Sequence, residues 1–251
     1  MSELAGHIAV VTGSSRGIGA AIAKRFAAEG AHVVLHGRDV AALERVHDQL
    51  EGTGEFMTVA ADLRDVADVE AMREHVEDRL GIPDILVANA GGSTARPGPV
   101  DLISIEDWSA TVDTNLTATF NTIKAFLPGM RRLGRGSIVT MSSAAARRPT
   151  INSPVAYLAA KAGIELLTQA VALQAGPDGV RANCLAPETI MTERNEAMIP
   201  LEMRDEMIEA HPIRRLGTPD DIADAALFLT TDVSSWISGV VVDVAGGSVL
   251  A

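Results

Sequence analysis

The chain carries one tyrosine, Tyr157, and one of its three lysines, Lys161, follows four residues later. Positions i and i+4 share a helix face, so a phenol and an ammonium would stand one turn apart. A free tyrosine titrates near pH 10, too high for proton exchange at neutral pH. At an effective dielectric near 20, a cation ~4 Å away is worth about 4 kcal/mol. At about 1.4 kcal/mol per unit, that can lower the phenol pKa by one unit or more. Ser142 and Ser143 stand upstream, at the end of a Val- and Ile-bearing run. A hydroxyl there could hold the oxygen that receives the proton. Spacing leaves Ser142 and Ser143 as rivals for that role.

A second constellation lies near the start. The run Ile8-Ala9-Val10-Val11 leads into Thr12-Gly13-Ser14-Ser15-Arg16-Gly17-Ile18-Gly19 and then a helical pattern. Glycines let the backbone approach a diphosphate, and the helix N-terminus offers free N–H groups and partial positive charge. The expected cradle is Gly13, Ser15, Arg16, Gly17, Ile18 and Gly19. At the end of the next run an acidic residue would bind a ribose 2′-hydroxyl, and an arginine a 2′-phosphate. Here Gly37 occupies the acidic position and Arg38 follows. Arg16 and Arg38 together favour NADP(H), with NAD(H) the alternative, and Asp39 reads as a helix cap. Asp62 and Leu63 follow the third run, where Asp62 either meets the adenine or caps the next helix. Asn89, Ala90 and Gly91 follow the fourth, where small residues suit a passing cofactor and Asn89 can tie strands together.

These groups need a scaffold. Apolar runs at 7–12, 32–36, 56–60, 85–88, 137–141, 180–185 and 240–244 lack strict alternation, as strands buried on both faces do. Between them, 20–29, 65–80, 106–130 and 156–175 show helical spacing. The expected fold is α/β: a Rossmann-like, doubly wound, seven-stranded parallel sheet with helices on both faces. One domain over 1–251 is expected. Residues 189–215 break the rhythm with Met191, Met198, Met203 and Met207, and read as one or two short helices forming a substrate lid. Thr218-Pro219-Asp220-Asp221 reads as a helix start.

Composition excludes several classes. A net charge of −12 and eight aromatic residues argue against a nucleic-acid partner. No apolar run reads as long as the roughly 18 residues of a membrane span, so a transmembrane protein is not expected. The single cysteine, Cys184, excludes an internal disulfide and a thiolate metal cluster, and no metal is expected. With no secretory signal at the start, a cytoplasmic location is the expectation.

Taken in order, Thr12-Gly13-x-x-x-Gly17-x-Gly19, Asn89-Ala90-Gly91, Asn115, Ser143 and Tyr157-x-x-x-Lys161 resemble the short-chain dehydrogenase/reductase family over nearly the whole chain. The resemblance implies that Tyr157 is the general acid in reduction and the base in oxidation. It implies that Lys161 lowers the phenol pKa and binds the nicotinamide ribose. Ser143 would orient the substrate oxygen, and Asn115 would hold a relay water with Lys161. Pro187, Ile190 and Thr192 would complete the cofactor site. The substrate would be a small carbonyl or alcohol and the assembly a homotetramer, with 243–247 at a subunit interface.

The chain departs from the family pattern in three places. Ser143 and Tyr157 are 14 residues apart, where 13 is usual; Ala88 precedes Asn89 in place of a second Asn; and Glu188 replaces a glycine after Pro187. Glu188 reads as a helix-start acid facing out, with a pocket-facing contact to a cationic or hydroxylated substrate as the alternative. Arg131, Arg132 and Arg135 read as helix-end cations. Arg147 and Arg148 read as a solvated or subunit-pairing loop, with an acidic substrate tail as the alternative. Rival functions are a silent dinucleotide sensor, a non-redox lyase or epimerase, and a module for acidic carrier proteins.

Overall fold

Strands buried on both faces need helices above and below, and the apolar runs are arranged that way. The computed structural model describes residues 3–92, 97–151 and 153–249. The first half runs β1 (Ile8–Val11), α1 (Gly17–Ala28), β2 (His32–Gly37), α2 (Val40–His47), β3 (Phe56–Ala60), α3 (Val66–Leu80) and β4 (Ile85–Ala88). Next come α4 (Ile105–Val112), α5 (Ala118–Leu133), β5 (Gly136–Met141), α6 (Ala144–Arg147), α7 (Val155–Ala175) and β6 (Val180–Pro187). Last are α8 (Glu193–Met198), α9 (Leu201–Ala210), α10 (Pro219–Thr230) and β7 (Val241–Val244).

The sheet order is β3-β2-β1-β4-β5-β6-β7, with every pairing parallel. The winding reverses between β1 and β4, where Val11 pairs with Val87. Chains leaving a parallel sheet on either side of such a reversal open a crevice at the carboxyl ends of the strands. Two cores flank the sheet. Ile22, Phe26, Leu35, Ile222 and Leu227 fill one face. Val76, Leu86, Phe126, Met130 and Ile138 fill the other.

Three elements differ from the sequence reading. The helix expected over 106–130 is two helices joined by a π turn over Asp113–Thr117. The Asn115 side chain donates to the Thr111 carbonyl at 2.8 Å, and the Ala118 N–H reaches back to the Asp113 carbonyl. Such single-turn expansions are frequent at functional sites. Second, the stretch Val155–Asp178 is long and apolar enough, by length and composition, to cross a membrane, contrary to the sequence reading. Here its Ala160, Ile164, Thr168 and Val171 face inward as a core helix. Third, the expected methionine wall is thin: α8 and α9 form as anticipated, yet only Met198 of the four lines the crevice, and Met203 is half exposed.

The α10 start follows the sequence reading. Thr218 accepts from the Asp221 N–H while Asp221 accepts from Thr218, a reciprocal capping box, and Pro219 opens the helix.

Candidate active site

The crevice is a cleft of about 940 Å³ that runs from the glycine-rich turn across the sheet to α7 and α8. Its floor is set by backbone proximity. A Cβ on Gly19 would lie 2.3 Å from the Gly13 carbonyl oxygen, and Gly13 has φ +66°. Only glycine fits such a turn, which leaves the α1 N-terminus open toward the cleft. Two side chains hold the turn. Asn89 Nδ2 donates to the carbonyls of Thr12 (2.9 Å) and Gly13 (3.2 Å), tying β4 to β1 as expected. The Thr12 hydroxyl accepts from the N–H groups of Asn89 and Ala90.

His36 is a third support that the sequence reading missed, because it looks like an ordinary strand residue. Its Nδ1 accepts from the Gly13 N–H at 3.3 Å, so its Nε2 carries the proton and donates to the Ala61 carbonyl at 3.1 Å. Burial lowers its pKa, which keeps this neutral form.

At the far end, Arg16, Arg38, Asp62 and Leu63 line the cleft with Arg64. A Cβ on Gly37 would sit 3.3 Å from Ser15 Cβ, so an acidic side chain there would crowd the turn. Asp39 caps α2, accepting from the Ala42 N–H at 3.0 Å, as anticipated. Asp62 is not the cap of α3; Asp65 is. Instead Asp62 is gripped by Arg64 Nε and Nη2, a hydrogen-bonded pair that holds its carboxyl down at about 2.

At the near end, Ser143 and Tyr157 come together. The Ser143 hydroxyl lies near enough to the Tyr157 phenol to pull its pKa down. Ser142 faces away, donating to Glu165 Oε1 (2.7 Å) or the Lys161 carbonyl (3.1 Å), so the rival serine is structural. The short helix α6, capped by Ser143 itself, occupies the loop between the two site residues.

Lys161 is one turn from Tyr157, with Nζ 5.6 Å from the ring centroid. It is 4% exposed, and its ammonium donates to the Met141 carbonyl at 2.8 Å. Burial brings its pKa down to about 8. The expected lowering of the Tyr157 pKa by Lys161 is not what this structure shows. Burial raises the phenol, outweighing the downward pull of Ser143 and of the Arg194 charge. The ammonium is bonded to the Met141 carbonyl.

Asn115 stands behind the cleft lining. It is fully buried and does not line the cleft. Its Nδ2 donates to the carbonyls of Gly92 (3.0 Å) and Thr111, and its Oδ1 accepts from the Gly92 N–H (3.0 Å). Both N–H groups are bonded to protein carbonyls. The side chain clamps the Gly91–Gly92 strip. A Cβ on Gly91 would lie 2.6 Å from Asn115 Oδ1 and 3.4 Å from Lys161 Nζ, so only a bare backbone passes there.

Pro187, Ile190 and Thr192 line the cleft opposite α7. Thr192 caps α8, accepting from Asn195, and leans toward Gly17. Glu188 is no helix-start acid. It sits on the cleft rim and pairs with His211 Nε2 at 2.8 Å, while His211 Nδ1 meets the Met207 carbonyl at 2.6 Å. Both partners accept, so the ring carries two protons. Burial opposes that charge, but the two bonds prevail and its pKa is raised. This ion pair fastens α9 to the end of β6. Arg147 pairs with Asp243 (2.9 Å) and Glu165, and Arg148 donates to the Ser248 carbonyl, so neither waits for a substrate tail. Among the described residues no cluster of three His, Cys, Asp or Glu side chains gathers to hold a metal ion.

A parallel sheet with its crevice at the β1/β4 reversal, a glycine-rich turn and a Ser/Tyr/Lys cluster define a dinucleotide-dependent oxidoreductase architecture. Comparison places the chain within it. A family profile described as Enoyl-(Acyl carrier protein) reductase matches residues 13–248. The chain is 35% identical to 7alpha-hydroxysteroid dehydrogenase of Escherichia coli, covering 98% of this chain and 96% of that protein. It is 36% identical to 3-oxoacyl-[acyl-carrier-protein] reductase FabG of Chlamydia muridarum, covering 98% of each. A solved 3-oxoacyl-[acyl-carrier protein] reductase with bound NAD from Brucella melitensis superposes with a TM-score of 0.89 at 35% identity, covering 100% of this chain and 94% of that one. The chain belongs to the short-chain dehydrogenase/reductase family.

The buried ammonium has a measurable cost. A fall from 10.5 to about 8 is a penalty of ~3 kcal/mol on the charged form, present below pH 8 and relieved as pH rises toward 10.5. Less about 1 kcal/mol for the lost hydrogen bond, Lys161→Met should stabilise the fold by ~2 kcal/mol at pH 7. Thermal melts at pH 7 should show a gain of several degrees that shrinks above pH 8. A lower melting temperature at pH 7 would show the ammonium to be a net stabiliser.

Proposed function

We propose that this protein is an NADP(H)-dependent oxidoreductase that moves a hydride between nicotinamide and a small carbonyl or secondary alcohol. The carrying observation is that Ser143, Tyr157 and Lys161 line one cleft with the glycine-rich turn. The residues fit a nicotinamide dinucleotide: the bare backbones of Gly13, Gly19 and Gly91 leave a channel that side chains would fill. When bound, that group supplies or takes the hydride.

The chain's own residues do the rest. In reduction, the substrate oxygen accepts hydrogen bonds from the Ser143 hydroxyl and the Tyr157 phenol, and Tyr157 gives it a proton. In oxidation Tyr157 takes that proton back. Lys161 has two N–H groups left beyond the bond to Met141, suited to ribose hydroxyls, and its pKa near 8 lets Nζ exchange a proton at working pH. Asn115 acts as a positioning residue through Gly92. We take the chain as one catalytic domain, with 189–215 as the lid. The single, buried Cys184 suits a cytoplasmic setting.

The preference for NADP(H) rests on Gly37, Arg38 and Arg16; the NAD held by the Brucella relative favours NAD(H) as the second reading. The homotetramer reading is supported by apolar surface. Phe120 on α5 and Leu166 and Leu173 on α7 are 46%, 68% and 81% exposed, and β7 is a half-covered edge strand.

Tyr157→Phe should lower kcat by about 10²- to 10⁴-fold on a carbonyl panel while leaving cofactor affinity intact. Unchanged turnover would reject the mechanism. Arg38→Ala should raise the KM for NADPH about 10- to 100-fold and leave that for NADH nearly unchanged, as loss of a charge-assisted contact requires. Equal effects on both would remove the 2′-phosphate reading. Light scattering should give about four times the 26.3 kDa chain mass, and Leu166→Glu with Leu173→Glu should reduce it. A monomeric wild type would overturn the assembly.

A further inference from the structure

The two hydroxyl groups of the reacting end belong to different elements. Ser143 follows β5 and caps α6, its hydroxyl oxygen accepting from the Ala145 N–H at 3.2 Å. Tyr157 stands on α7. A side chain that bridges α7 to the Ser143 segment would fix their separation. Glu165 does so on both sides of Ser143. It follows Lys161 by four residues, one further turn along α7. Its Oε1 accepts from the Ser142 hydroxyl at 2.7 Å. The Lys161 carbonyl is the alternative acceptor at 3.1 Å, but the carboxylate is nearer and charged, so it receives the stronger bond. Glu165 Oε2 lies 3.6 Å from Arg147 Nη1, at the far end of α6. Arg147 is also anchored on Asp243 of β7 at 2.9 Å. The Glu165 side chain is 15% exposed, so water and salt screen these contacts weakly.

We infer that Glu165 is a positioning residue that grips the chain just before and just after Ser143 and so sets the Ser143 hydroxyl against the Tyr157 phenol. This rests on the reading of Ser143 and Tyr157 as the reacting end. Both grips start from the helix that carries Tyr157 and Lys161, so one rigid element holds the whole frame. Upstream, Ser142 is fixed at two points, its N–H on the Leu185 carbonyl at 2.8 Å and its hydroxyl on Glu165. Downstream, the Ser143 hydroxyl follows α6, because it caps that helix. α6 is only four residues long and cannot hold its own shape, so its place depends on the Arg147 contacts. The competing reading is that Glu165 only stabilises the fold. The two readings differ at Tyr157. Ser143 draws the phenol down, so a displaced Ser143 leaves it higher. Loss of the Glu165 charge alone acts the other way, since removing an anion favours the phenolate.

The test uses the full-length protein and the variants Glu165→Ala, Glu165→Gln, Ser142→Ala, Ser143→Ala and Glu165→Ala with Ser143→Ala. Phenolate absorbance of the one tyrosine gives its midpoint without cofactor, and a carbonyl panel with NADPH and with NADH gives kcat. Glu165→Ala should raise the midpoint, as Ser143→Ala does, and lower kcat about 10- to 100-fold. Cofactor Kd, read from reduced-nicotinamide fluorescence, should stay the same. Glu165→Gln keeps an acceptor for Ser142 and should recover part of both effects. The double variant should go no further than Ser143→Ala alone, because the two residues act through one hydroxyl. Should Glu165→Ala fail to fold, Ser142→Ala cuts the upstream grip and should raise the midpoint by itself. Where no carbonyl turns over, the midpoints alone decide.

A lower melting temperature with midpoint and kcat unchanged overturns the proposal. So does a midpoint that falls, the mark of a simple charge effect, or a loss that adds in full to that of Ser143→Ala. Failure of the wider reading has another signature: Tyr157→Phe would then turn over the panel as well as the wild type.

Discussion

A lysine ammonium held almost entirely out of water is the constraint around which the site is built. Among the described residues Lys161 has one hydrogen bond, to the Met141 carbonyl at the tip of β5. Burying that charge favours its neutral form, hence a pKa near 8. The surroundings are shaped to admit it. α7 approaches the sheet through small residues such as Ala156 and Ala160, and Gly91 passes Nζ with no side chain. The π turn at Asp113–Thr117 turns Asn115 to clamp Gly92, which fixes the strip beside the ammonium. The cation then lies beneath the one tyrosine and faces the cleft.

Much of this was legible in the sequence because it is periodic or local. Buried parallel strands appear as unbroken Val and Ile runs, so all seven strands and their alternation with helices could be placed. Asp39 as a cap, Asn89 as a strand tie and Thr218 as a helix start are decided within a few residues of each side chain or by one strand pairing. Tyr157 and Lys161 share a face by simple spacing.

What escaped depends on distant partners. His36 is known to hold Gly13 only once β1 and β2 are paired. Glu188 meets His211 across 23 residues, and Arg194 reaches Tyr157 across 37. The π turn breaks no apolar pattern, so a period of 3.6 runs through it unnoticed. The electrostatics of Tyr157 also reversed. Spacing gives proximity to a cation, but not how much protein surrounds the phenol or which carbonyl has claimed the ammonium. Burial raises the phenol in the free protein. For the proposed base role in oxidation, a positively charged oxidised nicotinamide, when bound, would bring it down.

Tyr157 is the chain's only tyrosine, so its ionisation can be followed directly by phenolate absorbance. In the free protein the midpoint should lie above the ordinary value near 10. Saturation with oxidised cofactor should lower it by about one unit or more. A midpoint unmoved by cofactor would contradict Tyr157 as the acid/base group, whatever else the cleft binds.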